Sequence, residues 1–206
     1  DAFLNLGNFF YSRGMIGRAI AAYEEGLTVD PEDEYIYANL SSLYQEEGQG
    51  SAALKMINEA ILNNPNRGLN YKIKGDIHLE RGELEAAISN YNQALKRFDY
   101  REEDMIMTTS RLVAGIHRIK GEYEEALKVL GEAFAISLMC DDDVEADIAQ
   151  THWEMGKEDR AKAYAESVLS SQPDNGKMLR LLAEYYKKKG DSGKAKWYRK
   201  RYSGLK

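Results

Sequence analysis

Gly82-Glu83-Leu84-Glu85-Ala86-Ala87-Ile88-Ser89-Asn90-Tyr91-Asn92-Gln93-Ala94-Leu95 is the stretch that decides the fold. Its apolar residues, Leu84, Ala87, Ile88, Tyr91, Ala94 and Leu95, recur at helical spacing, and no strand-like alternation competes with them. The glycine that opens it belongs to a series, Gly14, Gly48, Gly82, Gly121, Gly156 and Gly190, separated by 34, 34, 39, 35 and 34 residues. Five residues after each stands an alanine: Ala19, Ala53, Ala87, Ala126, Ala161 and Ala195. Self-similarity at a period of about 20–50 residues marks a solenoid, propeller or array. A solenoid exposes a long curved surface suited to binding.

Aligning the repeats with each of these glycines at position 15 exposes the rest of the pattern. Position 8 is small throughout (Gly7, Ser41, Gly75, Ala114, Ala149, Ala183), which lets a neighbouring helix approach closely. Position 11 is always a ring: Phe10, Tyr44, His78, His117, His152, Tyr186. Position 24 reads Tyr23, Ile57, Tyr91, Leu130, Ala165 and then Arg199. Pro31, Pro65 and Pro173 occupy position 32, where a residue that cannot continue a helix separates one hairpin from the next. Each repeat therefore reads as helix A, a tight turn at the glycine, and helix B. The fold class is all-α.

These residues resemble the tetratricopeptide repeat. Repeat one carries the pattern as Phe3, Leu6, Gly7, Phe10, Ala19, Tyr23 and Pro31, and repeat three as Tyr71, Gly75, Ala87, Tyr91 and Ala94. The resemblance covers residues 1–203. Lys74 departs from it at position 7, Glu145 at position 4, and Asp99 and Leu138 at the terminal proline. It implies a right-handed superhelical solenoid of about six antiparallel helix pairs, a single array over 1–206. The repeats would be 1–33, 34–67, 68–106 with a five-residue insertion, 107–141, 142–175 and a basic terminal or capping repeat, 176–206. The A helices would line a concave groove that docks a peptide or helix of a partner protein. Catalysis is not expected of such a domain.

Composition sets bounds. With 206 residues, 43% hydrophobic content, 30% charge and three prolines, the chain can bury a sizeable helical core. No run of about 18 apolar residues supports a membrane span, and no charged-then-apolar leader reads as a signal peptide. A cytoplasmic location is the expectation, with the periplasm or another compartment left open. Cys140 is the single cysteine, which excludes internal disulfides and cysteine-rich metal sites. Asp1 falls at position 2 of helix A with no cap ahead, and Phe9, Phe10 and Tyr11 lie near that end. The preferred expectation is a missing preceding segment; the alternative is an oligomer formed through the uncapped end.

Two features break the regularity. The 39-residue spacing puts five extra residues near Arg97-Phe98-Asp99-Tyr100-Arg101-Glu102-Glu103-Asp104, an extra helical turn plus one. Either the flanking helices are longer or the superhelical angle changes, and residues 97–107 are where a discontinuity is expected. The second feature is charge. From Lys177 onward there are eleven Lys/Arg and two acids, a net of +9, against seventeen bases and thirty-two acids before it, a net of −15. One reading is the polar outer face of a terminal repeat. The other is a basic patch of Lys187, Lys188, Lys196, Arg199, Lys200 and Arg201 for RNA or an anionic surface. Trp197, Tyr198 and Tyr202 interleaved with those cations suit single strands, which need stacking and phosphate contact.

Among candidate sites, the three histidines share position 11. Packed helix pairs lie about 8–10 Å apart whereas zinc–nitrogen bonds are about 2.0–2.1 Å, so three repeats cannot converge on one ion. Imidazole stands in for tyrosine in packing, and protonation at about pH 5–6 is expected to loosen repeats three to five. Gly190-Asp191-Ser192-Gly193-Lys194 lacks the spacing of a phosphate loop, and Asn39-Leu40-Ser41 is a glycosylation tripeptide placed mid-helix. Glu102/Glu103 and Asp141/Asp142/Asp143 read as loop solvation and helix caps. No catalytic constellation, metal site or cofactor is expected.

The groove remains. In the resembled family, helix A positions 2, 5, 6, 9, 12 and 13 face inward. Here repeats one and two put Asn5, Asn8, Tyr11, Tyr35, Asn39, Ser42 and Gln45 there, and repeats three and four add Lys72, Asp76, Glu80, Arg111 and Arg118. Asparagine both donates and accepts, which suits an extended peptide backbone. The family's clamp for chaperone-tail carboxylates needs bases where repeat three has Leu69 and Ile73, so that clamp fails when started at repeat one. The leading expectation is a protein-interaction scaffold using the groove from Asn5 to Arg118. The alternatives are RNA or anionic-surface binding by the basic end, and a regulatory segment of a larger enzyme.

Overall fold

The computed structural model describes residues 2–136 and 142–204. Asp1, Leu138, Cys140, Asp141 and Lys206, each invoked above, lie outside the described residues. Over the described residues run twelve α-helices and no strand. The A helices are α1 (Ala2–Ser12), α3 (Glu34–Glu46), α5 (Gly68–Glu80), α7 (Glu103–Ile119), α9 (Asp142–Glu154) and α11 (Gly176–Lys188). The B helices are α2 (Ile16–Val29), α4 (Gly50–Asn63), α6 (Leu84–Leu95), α8 (Tyr123–Ile136), α10 (Glu158–Ser171) and α12 (Ser192–Ser203).

Each A helix ends two residues before its position-15 glycine, and those six glycines, with φ between 68° and 79°, are the described residues of positive φ. Their left-handed backbone lets two amides turn back onto the helix they leave. In repeat three Gly82 N–H donates to Leu79 C=O at 2.9 Å and Glu83 N–H to His78 C=O at 2.9 Å. The same pair of bonds closes the other five turns, from Met15 N–H to Phe10 C=O through Asp191 N–H to Tyr186 C=O. The ring residue at position 11 thus supplies the carbonyl that ends every A helix.

Inside each hairpin, positions 8 and 24 exchange volume. A methyl group on Gly75 would sit 2.5 Å from the Tyr91 ring, and one on Gly7 would sit 2.2 Å from Tyr23. Where position 8 grows to Ser41 or Ala114, position 24 shrinks to Ile57 or Leu130. The position-20 alanines are fully buried in five of the repeats, and Ala195 is nearly so. Positions 3, 7 and 10 of the A helices face their neighbours: Ile36, Leu40 and Leu43 in repeat two, and Met178, Leu182 and Tyr185 in repeat six, are buried. Burial of such side chains supplies about 1.5–3 kcal/mol each and is the main driving term.

The chain divides into two compact bodies, Asp1–Arg101 and Glu102–Lys206. In the first, Tyr23, Ile36, Leu40 and Leu43 form one cluster and Ala53, Ile57, Ala60 and Ile77 the next. Phe98 closes over Gly68, where a side chain on the glycine would meet its ring at 2.7 Å. In the second, Ala149, Ala161, Ala165, Val168, Met178, Leu181 and Leu182 build the core, with Trp153, Tyr164, Tyr186 and Tyr198 packed on it. Adjacent A helices touch within each body, α3 with α5, α7 with α9 and α9 with α11.

The five extra residues have a local account. The connection from α6 to α7 spans 96–102 where the α2–α3, α4–α5 and α10–α11 connections have four residues, and α7 is 17 residues long against 13 for α3, α5, α9 and α11. The added turn lies at the start of α7, which begins at Glu103. Its residues Ile106 and Met107 are buried, which is why the turn is helical and not loop.

Candidate functional site

Positions 3, 7 and 10 are buried in α3, α7, α9 and α11, and positions 2, 5, 6, 9, 12 and 13 fall mostly on the other side of the helix. In the first body that face is built around Tyr23. Its hydroxyl donates to Asn8 Oδ1 at 2.6 Å, and Asn39 Nδ2 donates to the same oxygen at 3.1 Å and to Tyr23 Oη at 3.3 Å. The buried ring, held because position 8 is Gly7, thereby pins two groove asparagines from different repeats. Asn8 Nδ2 and Asn39 Oδ1 make no hydrogen bond among the described residues, leaving one donor and one acceptor spare on two side chains whose other ends are held. Asn5 is exposed one turn before Asn8. Tyr11 donates to Glu46 Oε1 at 2.7 Å, and Ser42 Oγ turns back to Ala38 C=O at 3.1 Å.

Repeat three repeats the device with charge. Tyr91 Oη donates to Asp76 Oδ1 at 2.8 Å, and Lys72 Nζ reaches Asp76 Oδ2 at 2.9 Å. Burial, with the Asp76 charge behind it, pushes the Tyr91 hydroxyl far up, so it remains a donor. Tyr35 is half exposed, with the Arg67 guanidinium 4.5 Å above its ring while Arg67 also pairs with Glu34.

In the second body the two groove arginines are already neutralised. Arg111 reaches Asp147 at 2.6 Å and Asp143 at 2.7 Å, and Arg118 forms a two-point contact with Glu154 at 2.9 and 2.6 Å. The acids come from positions 2, 6 and 13 of the next repeat. The hydrogen bond from Arg118 holds the Glu154 carboxyl below its usual range. Arg111 and Arg118 therefore tie α7 to α9 instead of offering free charge, and Asp143, read above as solvation or a cap, is one of the partners.

The histidines diverge. His78 and His117 each meet a carboxylate through Nδ1, Glu83 at 2.6 Å and Glu122 at 2.7 Å. His152 is different: it is buried, stacked on Tyr164 at 5.7 Å, and its Nδ1 has no hydrogen-bond partner among the described residues. Burial, aided by Arg160 and Lys157, pushes its pKa down.

At the basic end, half of the expected patch has internal work. Lys188 pairs with Glu158 at 2.8 Å, Lys187 lies 3.8 Å from Glu184, and Arg201 donates to Pro173 C=O at 2.6 Å. Lys196, Arg199 and Lys200 are exposed with no ion pair among the described residues. Tyr198 is half-buried and stacked on Tyr186 at 5.6 Å and 5°, while Trp197 is exposed with the Arg201 guanidinium 4.9 Å from its ring centroid. Among the described residues no helix is long and apolar enough to cross a membrane.

The position count behind the expected groove in repeats one to four also applies to five and six, where the sequence reading did not carry it. It yields Gln150, Trp153, Lys177, Arg180 and Glu184, and these residues, with Leu181, line a cleft of about 300 Å³. The signal that finds them is the same count from Gly156 and Gly190.

Comparison with known proteins agrees with this architecture. Over 98% of its length the chain is similar to 91% of PilW, a type IV pilus biogenesis factor, with a TM-score of 0.77 at 16% identity. It spans all of its own length against 90% of PilF of Pseudomonas aeruginosa, with a TM-score of 0.79 at 17% identity. YrrB, described as a TPR protein with an unusual peptide-binding site, matches 90% of the chain over 92% of its own, with a TM-score of 0.67 at 16% identity. These likenesses establish the fold. No curated protein matches the sequence. Two tetratricopeptide repeat family models match, one over residues 10–73 and the other over 74–136 and 146–202, and the chain accordingly belongs to the tetratricopeptide repeat family.

Proposed function

We propose that the chain is a non-catalytic protein-interaction module whose A-helix faces bind an extended or helical segment of a partner protein. The observation that carries the reading is the Asn8–Tyr23–Asn39 network. Two amides from separate repeats are locked in place, and each keeps a spare hydrogen-bonding group of opposite kind. A peptide bond offers the complementary pair, an acceptor C=O and a donor N–H. Because the side chains are fixed before binding, little rotamer entropy remains to be lost. Family membership supports a protein or peptide partner as the class of ligand. The groove residues of this reading are Asn5, Asn8, Tyr35, Asn39, Ser42, Lys72 and Asp76 in the first body, and Arg111 and Arg118, which pair with α9, in the second.

The test is selection of random peptides displayed on phage against the immobilised chain. The recovered pool should lose binding to the Asn8→Ala/Asn39→Ala variant and keep it with Lys196→Ala/Arg199→Ala/Lys200→Ala. The reverse pattern, with affinity for RNA that collapses as salt rises, would move the function to the basic end.

A further inference from the structure

The outer side of α12 departs from the other five B helices, in all of which position 24 is buried. In the second body that position is Leu130 in α8 and Ala165 in α10, and each of these helices packs against the A helix that follows. Ala165 and Leu169 of α10 share one core cluster with Met178 and Leu182 of α11. The same positions in α12 hold Arg199 and Ser203, with Lys196 and Lys200 beside them, all exposed. The helix carries five cations and no acid. Lys194 lies 4.0 Å from Asp191, and Arg201 lies 3.8 Å from Asp174. Lys196, Arg199 and Lys200 meet no acid among the described residues. At spacings of i, i+3 and i+4 these three stand on one side of the helix. Beside them is a cleft of about 490 Å³ lined by Lys187, Gly190, Ser192, Ala195, Lys196 and Arg199. A polar end keeps a terminal repeat soluble, but residues of either sign serve that purpose. Before Lys177 the chain carries thirty-two acids against seventeen bases, so the single sign of α12 runs against its composition and calls for a negative partner.

We infer that the outer side of α12 docks an acidic helix of a partner protein, whose stripe of carboxylates meets Lys196, Arg199 and Lys200. This surface is separate from the A-helix faces, and the inference does not rest on the peptide-binding reading above. A helix is favoured because this side of a B helix is where the fold seats one, at an axial distance of about 8–10 Å. The chain's own A helices do not fit. They bring apolar residues at positions 3, 7 and 10, as Met178, Leu182 and Tyr185 in α11 and Ala2, Leu6 and Phe9 in α1, and would cover Arg199 without a counter-charge. A single-stranded nucleic acid needs open rings for its bases. Tyr198 is stacked on Tyr186, and the Trp197 ring has Tyr198 at 4.7 Å and Arg201 at 4.9 Å. A bilayer takes up an exposed apolar face, whereas Ala195 and Tyr198 of α12 turn into the core.

The test titrates the isotope-labelled whole chain at low salt with two synthetic alanine-based helices of one composition, followed by amide chemical shifts. In the first, glutamates form a stripe at i, i+4 and i+7; in the second they are spread around the helix. The striped helix should move the amides around Lys196, Arg199 and Lys200. Its affinity should fall about tenfold or more on Lys196→Gln/Arg199→Gln/Lys200→Gln, the worth of three exposed charge pairs. Those side chains are exposed and unpaired, and unchanged far-UV circular dichroism verifies the fold. Asn8→Ala/Asn39→Ala should leave this binding unchanged, which separates its failure from failure of the peptide-binding reading. A lysine-striped helix should bind the Lys196→Glu/Arg199→Glu/Lys200→Glu variant, a rescue that a merely loosened end does not give. Absence of shifts in α12, or equal affinity for the two glutamate helices, overturns the inference. Tighter binding of oligo(U) RNA or of phosphatidylserine vesicles, lost on the same substitutions, overturns it in favour of a nucleic acid or a lipid surface.

Discussion

Gly75→Ala isolates the steric rule that sets the hairpin and, through Tyr91 and Asp76, one part of the A-helix face. The added methyl would lie 2.5, 2.6 and 3.1 Å from three atoms of the Tyr91 ring. That ring is fully buried and tied at its hydroxyl to Asp76 at 2.8 Å, so it has no room to withdraw. Overpacking of this kind costs about 1–3 kcal/mol, and Ala in a helix interior returns about 1 kcal/mol relative to Gly. With three close contacts the upper part of the range applies, and the variant should be about 1–2 kcal/mol less stable. Repeat four suggests the remedy, since Ala114 there faces Leu130. In a Tyr91→Leu background, which leaves Asp76 paired with Lys72, Gly75→Ala should become stabilising by about 0.5–1 kcal/mol. Urea unfolding followed by circular dichroism gives the four midpoints of this cycle, and a coupling of about 1.5–3 kcal/mol is expected. If Gly75→Ala costs the same in both backgrounds, the volume exchange between positions 8 and 24 is not what fixes the hairpin.

Other consequences are as direct. Gly121→Ala forces a side chain into φ +76° and should cost about 1–2 kcal/mol, whereas Gly115→Ala, helical with no atom within 4 Å of the new methyl, should stabilise by up to about 1 kcal/mol; thermal melts of the two should move in opposite directions. His152 holds its folded pKa below 6.5, so the unfolded chain binds the proton first and stability falls as pH drops through 6.5 toward the folded value. Melting temperature should therefore decline from pH 7.5 to 5.5, and His152→Phe should flatten that slope; an equal slope in the variant would count against the assignment. Glu83, Glu122 and Glu154 have lowered values, so their contribution is present above the usual carboxylate range and lost only as pH falls through it, below that window. For the Arg118–Glu154 contact, whose side chains are 21% and 28% exposed, a cycle of Arg118→Ala with Glu154→Ala should give a coupling of about 0.5–1.5 kcal/mol, and a coupling near zero would show that the contact does not join α7 to α9.

Much of this architecture was legible because the constraints are periodic. Six glycines that must adopt positive φ, and six small residues that must admit a ring or a branched chain, recur at fixed offsets, so each repeat tests the reading of the others. The insertion was legible in place but not in kind. Five residues fit a longer helix or a changed angle, and only the burial of Ile106 and Met107 makes the added turn helical. The site was half legible. Counting from the glycine tells which side of helix A faces out, and it gave Asn8 and Asn39. It does not tell which outward charges are already paired, because a counter-ion comes from the next repeat, some thirty residues away. Arg111 and Arg118 looked free for that reason. Their partners Asp143, Asp147 and Glu154 fall at groove positions that the same count would have reached. The histidines divided for a similar reason: a position-16 glutamate follows His78 and His117, while Lys157 stands there after His152.

The most direct test of the account is amide chemical-shift mapping of the whole chain with a peptide recovered by display. The account predicts that perturbed residues fall on the outward positions of the A helices, with Asn8 and Asn39 among them, while B-helix residues such as Lys55, Lys128 and Arg160 stay unmoved. Perturbations gathered on the B helices, or confined to α12 around Lys196, Arg199 and Lys200, would contradict it.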